Sequence, residues 1–182
     1  MRRGAALLAA VALLAGCGGG GGATDADRAK LDSAEHALAA RPRDAAALGA
    51  VIQAAYGGAS HRYDVDSGGY RPDARPYLQR AAAVWPRYVA AGRGRVSGAL
   101  AAVMVRVYGD GLGRAAPAAD AAQRAVDANP TAAGYLELTT WSARAGDRRT
   151  ARLAAQKAVE LATPADRDRV REGIRQALAG AP

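Results

Sequence analysis

The segment Ala121–Val126 reads AAQRAV, and Ala154–Val159 reads AAQKAV, 33 residues further on. The same offset pairs Val105 with Leu138, Tyr108 with Trp141, Gly113 with Gly146, Ala118 with Ala151 and Asp127 with Glu160. Pro130 and Pro164 close the two stretches, 34 residues apart. Self-similarity at a period of this length means stacked units, each too small to bury its apolar face alone. Alanine dominates both copies, and alanine is the residue with the least to lose on entering a helix. The chain has no Phe, and Val and Ile are few, so strand signals are weak throughout.

Caps and breakers divide the rest into eight expected helices. Thr24 with Asp27 reads as a capping pair for a first helix that runs to about Ala40 and stops at Pro42. The second runs from Asp44 to Tyr56 and stops at Gly57-Gly58. The third begins at Asp73 with Pro76 in its first turn, where proline is tolerated, and runs to Ala91. Pro86 lies inside it, so a kink or break is expected near Trp85. The fourth runs from Ser97 to Tyr108 and ends at Gly109, and the fifth spans Ala115 to Ala128. The sixth starts at Thr131 and ends at Gly146, a C′ glycine. The seventh runs from Asp147 to about Leu161. Thr163-Pro164 opens an eighth, with threonine as N-cap and proline at N1, ending at Gly180. The predicted fold class is all-α, an α-solenoid of antiparallel helix-turn-helix repeats. Its clearest units are 97–130 and 131–164.

A 34-residue helix-turn-helix period resembles the tetratricopeptide repeat. Tyr135 and Leu138 match its first-helix apolar positions, and Gly146-Asp147 its inter-helix turn. Ala151, Ala155 and Ala158 match the small positions of its second helix. Thr139 departs from the pattern, because a smaller residue is usual there, and Pro164 comes one residue late. The resemblance covers roughly Asp44 to Pro164 and is strong over the second half. It implies helix pairs two–three, four–five and six–seven, with helices one and eight as end caps. It also implies a groove for a protein or peptide partner, with Tyr108, Tyr135 and Trp141 as candidate lining residues.

The amino terminus carries a separate message. Met1-Arg2-Arg3 is positive, Ala5 to Leu14 is an uncharged apolar run, and Leu14-Ala15-Gly16 leads directly to Cys17. This is the layout of a secretory signal peptide. The apolar run, at about ten residues, is half of what a membrane span needs. Leu14-Ala15-Gly16-Cys17 resembles the lipobox of bacterial lipoproteins. That resemblance implies cleavage between Gly16 and Cys17 and lipid on the Cys17 thiol. Gly18–Gly22 reads as a flexible tether, because glycine has the most backbone freedom to lose. The expected organisation is therefore a leader at 1–16, a lipidated cysteine and tether at 17–23, and a helical body at 24–182. The expected location is extracytoplasmic, held to the cell membrane by the lipid.

Removing 1–16 takes two arginines from the 25 basic residues, leaving 23 against 17 acidic ones, a net of +6. Only Lys30 and Lys157 are lysines. Arginine, alanine and glycine enrichment of this kind follows from GC-rich coding, and export argues against a nucleic-acid partner. A basic surface still suits anionic lipid or wall polymer. Cys17 is the sole cysteine, so the body has neither disulfide nor thiol nucleophile.

The stretch at 57–72 interrupts the repeat. Its core, Gly57–Arg71, reads GGASHRYDVDSGGYR. Asp64 and Asp66 are the best-placed carboxylate pair for acid–base work, the basis of an alternative reading as a cell-envelope hydrolase. As a calcium loop the segment fails, since its fifth position is Gly68 and its twelfth is Arg75. Asp, Ser and Gly together fit a hairpin-like turn. His61 and His36 have no cysteine partner for zinc, and His36 beside Glu35 falls on a solvated face. No nucleophile elbow or phosphate loop is present. No enzyme activity and no cofactor is expected.

Overall fold

The computed structural model describes residues 21–180. The expected leader at 1–16, with Gly16, and the expected lipid site Cys17 with the first glycines after it lie outside them. Eight α-helices follow in order among the described residues: α1 (Gly21–Ala40), α2 (Ala45–Ser60), α3 (Arg75–Ala91), α4 (Gly98–Arg106), α5 (Ala115–Ala128), α6 (Ala132–Arg144), α7 (Arg148–Leu161) and α8 (Arg167–Ala179). A two-stranded hairpin, β1 (Tyr63–Asp64) and β2 (Gly69–Tyr70), separates α2 from α3. The fold is all-α with helical repeats. α2 lies against α3, α4 against α5 and α6 against α7, with α1 packed on α2 and α8 mainly on α6.

The local signals that placed the helix starts are physical caps. The side chains of Asp44, Ser97, Thr131 and Asp147 accept the N–H of Ala47, Leu100, Gly134 and Thr150. Each satisfies a donor that the helix itself leaves free. Gly113 (φ +65°) and Gly146 (φ +80°) close α4 and α6 in the left-handed region that side chains avoid. The alanine stripe does the packing. Ala118, Ala121 and Ala122 of α5 are buried, as are Ala151, Ala154, Ala155 and Ala158 of α7.

The repeat is less regular than its sequence offset. The N-caps of α5 and α7, at Arg114 and Asp147, are 33 residues apart. Those of α4 and α6, at Ser97 and Thr131, are 34 apart. The earlier unit therefore holds one extra residue between its two helix starts. It is absorbed where α4 widens into a π-helical turn, Val107–Gly111, a form that single insertions take. The N–H of Arg114 there reaches back six residues to the Tyr108 carbonyl, whereas that of Asp147 reaches five, to Ser142. Burial along 104–110 recurs at 138–144, so in space Met104 corresponds to Leu138 and Val105 to Thr139.

Several boundaries differ from expectation. α1 starts at Gly21, so Thr24 and Asp27 do not cap it, and Asp27 is buried inside the protein. α2 continues through Gly57 and Gly58 to Ser60. The Tyr77 ring lies on Gly58, where a Cβ would stand 2.6 Å from it, so that glycine is a packing device rather than a stop. Pro72–Ala74 forms a short 3₁₀ turn ahead of α3. α3 runs unbroken past Pro86. Proline withholds the N–H that would bond the Ala82 carbonyl, and the Tyr108 hydroxyl donates to that carbonyl instead, at 3.2 Å. Gly109 does not end α4, since it sits within the π turn under the Trp141 ring. Thr163 does not cap α8. It closes a turn on Asp166, and α8 begins at Arg167.

The main core is continuous from α1 to α7, centred on Leu48, Ile52, Leu78, Trp85, Met104 and Val126. A small second cluster, Ala158, Ala162 and Val170, attaches α8.

Candidate functional site: a polar cluster along the first helices

The first helix of each pair contributes one polar residue to a shared cluster: Tyr56 from α2, Arg106 from α4 and Glu137 from α6. The hairpin adds Tyr70 and the π turn adds Asp110. Tyr56 joins the set through its electrostatic coupling to both Tyr70 and Arg106. The Tyr56 side chain, with Glu137 adding to it against burial, holds Arg106 more firmly protonated than usual. Burial, followed by Tyr56 and Asp110, pushes the Tyr70 phenol far above its ordinary range. Burial also raises Glu137; Arg106 opposes this and Asp110 adds to it.

Beside the cluster lies a cleft of about 660 Å³ between α4 and α6. Its walls are small, with Gly98, Ala99 and Ala102 on one side and Ala133 and Gly134 on the other, and Glu137 lies along it. Such walls admit a backbone closely, and Glu137 is the residue that the cluster and the cleft share.

Of the residues singled out from sequence, Tyr108 and Trp141 do not line a groove. Each is 7% exposed and belongs to the core. Large aromatic rings bury the most apolar surface, and here they fill space between pairs. The Tyr108 hydroxyl is engaged by Ala82, and the Trp141 face carries the Arg144 guanidinium at 4.8 Å. Tyr135 is half-buried between the two apolar clusters. The cluster residues were missed because they are separated by up to 81 positions, Tyr56 to Glu137, with no local spacing to link them. The signal available was a second aromatic residue, Tyr70, at the exit of the insertion.

The hairpin forms where a turn was expected. Tyr63 pairs with Tyr70 across it, ring edge to face at 5.1 Å between centroids, and Gly68 takes φ +65°. Asp64 is a turn former. Its carboxylate accepts the Asp66 N–H at 3.0 Å and the Ser67 hydroxyl at 2.9 Å, and those bonds, with Ser67 foremost, hold it below the usual carboxylate range. A general acid must keep its proton near neutral pH, so this shift runs opposite to acid catalysis. Asp66 is exposed. Among the described residues no three His, Cys, Asp or Glu side chains gather as metal ligands would.

The base of the hairpin is tied down by a buried ion pair. Arg62 Nη1 donates to Asp27 Oδ2 at 2.9 Å, and the two residues are 4% and 3% exposed. His61 Nδ1 lies 2.8 Å from the other Asp27 oxygen. Arg62 also approaches Asp73 at 3.3 Å and lies 4.5 Å over the Tyr77 ring. α1, the hairpin and α3 thus share one charged joint. His36 is exposed on α1.

No family model, no curated protein and no solved structure matches this chain. Among the described residues no helix is long and apolar enough to cross a membrane.

Proposed function

We propose that the protein is an extracytoplasmic lipoprotein, anchored through lipid on Cys17, whose tetratricopeptide-like body holds an extended segment of another envelope protein. The observation that carries the scaffold reading is the arrangement along the first helices. Three successive pairs each supply one polar residue to a joined cluster, and the cluster borders a small-walled cleft between α4 and α6. Repeat scaffolds bind through such shared faces, and their function resides in the face rather than in the fold. The lipobox-like tetrapeptide and the glycines behind it support the anchor. Two acyl signals are needed for stable membrane attachment, which full lipoprotein modification supplies.

Site-specific photocrosslinking in cells tests the scaffold. A photoreactive residue at Ala99, on the cleft wall, should give a discrete crosslinked species that one at exposed Asp32 of α1 does not. Absence of any species specific to Ala99, with the protein at its normal level, overturns the scaffold reading. The anchor is tested apart from it. Cys17→Ala should abolish labelling by a palmitate analogue and release the protein from the membrane fraction. Undiminished labelling overturns the anchor alone.

A further inference from the structure

A second cleft, of about 350 Å³, opens between α5, the end of α6 and the first turn of α7. Ala116 and Ala119 form an apolar wall, and Asp120 and Asp147 both line the opening. Ser142 lies among them, only 1% exposed. Its Oγ is the single buried side-chain polar atom among the described residues that has no hydrogen-bond partner. Other hydroxyls on the same helix satisfy themselves locally. Thr139 and Thr140 donate to the carbonyls four residues back, at 2.8 and 3.0 Å. Ser142 has the same option one turn further on and does not take it. A buried hydroxyl left unpaired costs about as much as a lost hydrogen bond, so an orphan of this kind calls for an external partner.

The carboxylates indicate the charge of that partner. Asp147 caps α7, accepting the Thr150 N–H at 3.0 Å, and the Thr150 side chain and N–H, with a smaller effect from the neighbouring Arg149, hold its carboxyl below the usual range. Asp120 is met through both oxygens by Arg124 of its own helix, from Nε at 3.0 Å and Nη2 at 3.4 Å, in a surface pair four residues apart. Such pairs are weak and readily exchanged.

We infer that this cleft binds a primary ammonium group on a short alkyl stem, the chemistry of a lysine side chain. An ammonium carries three donors and no acceptor, which matches one hydroxyl oxygen and two carboxylates. It is also more compact than a guanidinium. The alkyl stem lies against Ala116 and Ala119, as lysine stems do on apolar surface. The site faces the second helices, apart from the cleft between α4 and α6, so it stands independently of the scaffold reading.

The test uses the full-length lipidated protein in detergent micelles, titrated with Nα-acetyl-lysine methylamide and with its uncharged norleucine isostere, followed by calorimetry. The lysine probe should bind and the norleucine probe should not, and added salt should weaken the binding. Ser142→Ala and Asp147→Ser should each weaken it about tenfold, and the serine at 147 preserves the helix cap. Equal binding of both probes overturns the proposal, as does no binding of the lysine probe at millimolar concentration. So does a Ser142→Ala protein that melts higher yet binds the lysine probe unchanged, which would leave a buried water as the partner of Ser142.

Discussion

The Tyr108 hydroxyl and the Ala82 carbonyl are joined at 3.2 Å across two helix pairs. The carbonyl is the one that Pro86, four residues on, leaves without its helical donor. A proline in mid-helix is thereby tolerated, because a residue 26 positions away supplies the missing bond. Burial raises the Tyr108 phenol above its ordinary range, so it remains a donor across the accessible pH range.

The pairing predicts a coupling that a double-mutant cycle can read. Tyr108→Phe should cost about 1–2 kcal/mol in the parent protein, the penalty for leaving a partly buried carbonyl unpaired. Pro86→Ala restores an N–H to that carbonyl, so the same Tyr108→Phe change should cost about 1 kcal/mol less in that background. Denaturant unfolding of the four proteins measures it. Equal costs in both backgrounds would mean that the hydroxyl contributes nothing to the proline site.

Gly109 makes a sharper steric prediction. An added Cβ would stand 2.1 Å from Trp141 Cζ2, and the ring is locked in the core. Gly109→Ala should destabilise by about 1–3 kcal/mol, the usual cost of overpacking. Gly57, on the outside of α2, has no atom near its Cβ position, so Gly57→Ala should be neutral or stabilising by about 0.5–1 kcal/mol. Thermal melts of the two variants should therefore move in opposite directions.

The contrast between these glycines shows what sequence could convey. Helix starts were legible because a cap is a local event: Asp44, Ser97, Thr131 and Asp147 each bond a donor three residues away. The C′ glycine Gly146 was legible for the same reason. Gly57, Gly58 and Gly109 look identical to stop signals in the chain, yet two of them are set by rings that arrive from α3 and α6. The π turn was hidden by a coincidence of offsets, since the second helices do repeat at 33 while the first helices repeat at 34. Tyr108 and Trp141 were groove candidates only through the tetratricopeptide resemblance, and they fill the core. The candidate cluster is polar and non-local, and only the packing of α2, α4 and α6 assembles it.

The buried joint at Asp27 predicts behaviour in acid. Burial alone would raise its carboxyl, but the hydrogen bonds and charges of Arg62 and His61 outweigh this and hold it below the usual value. The folded pKa is therefore lower than the unfolded one. The resulting stability is fully present above the unfolded value, near pH 4, and is lost as pH falls through the folded value. Asp27→Asn should lower stability at neutral pH by about 3 kcal/mol, because it takes from a buried arginine the nearer and more deeply buried of its two carboxylate partners, leaving the half-exposed Asp73. The same variant should lose less than the parent between about pH 5 and pH 2. Melting temperatures across that range measure both effects, and parallel curves for the two proteins would remove Asp27 from the acid response.

Glu137 presents the opposite sign. Burial raises its carboxyl, with Asp110 adding to the shift and Arg106 opposing it. A carboxyl whose folded pKa exceeds its unfolded one destabilises the fold at neutral pH. That cost vanishes below the unfolded value, where both states hold the proton. Glu137→Gln should therefore raise the melting temperature at pH 7, and the gain should shrink to nothing near pH 4. A residue kept against stability beside a small-walled cleft is the pattern of a binding group rather than a structural one. The same substitution should weaken crosslinking from Ala99 in cells while leaving the fold intact. A variant that is more stable at neutral pH and crosslinks as well as the parent would separate Glu137 from partner binding. A variant less stable at pH 7 would contradict the burial that raises it.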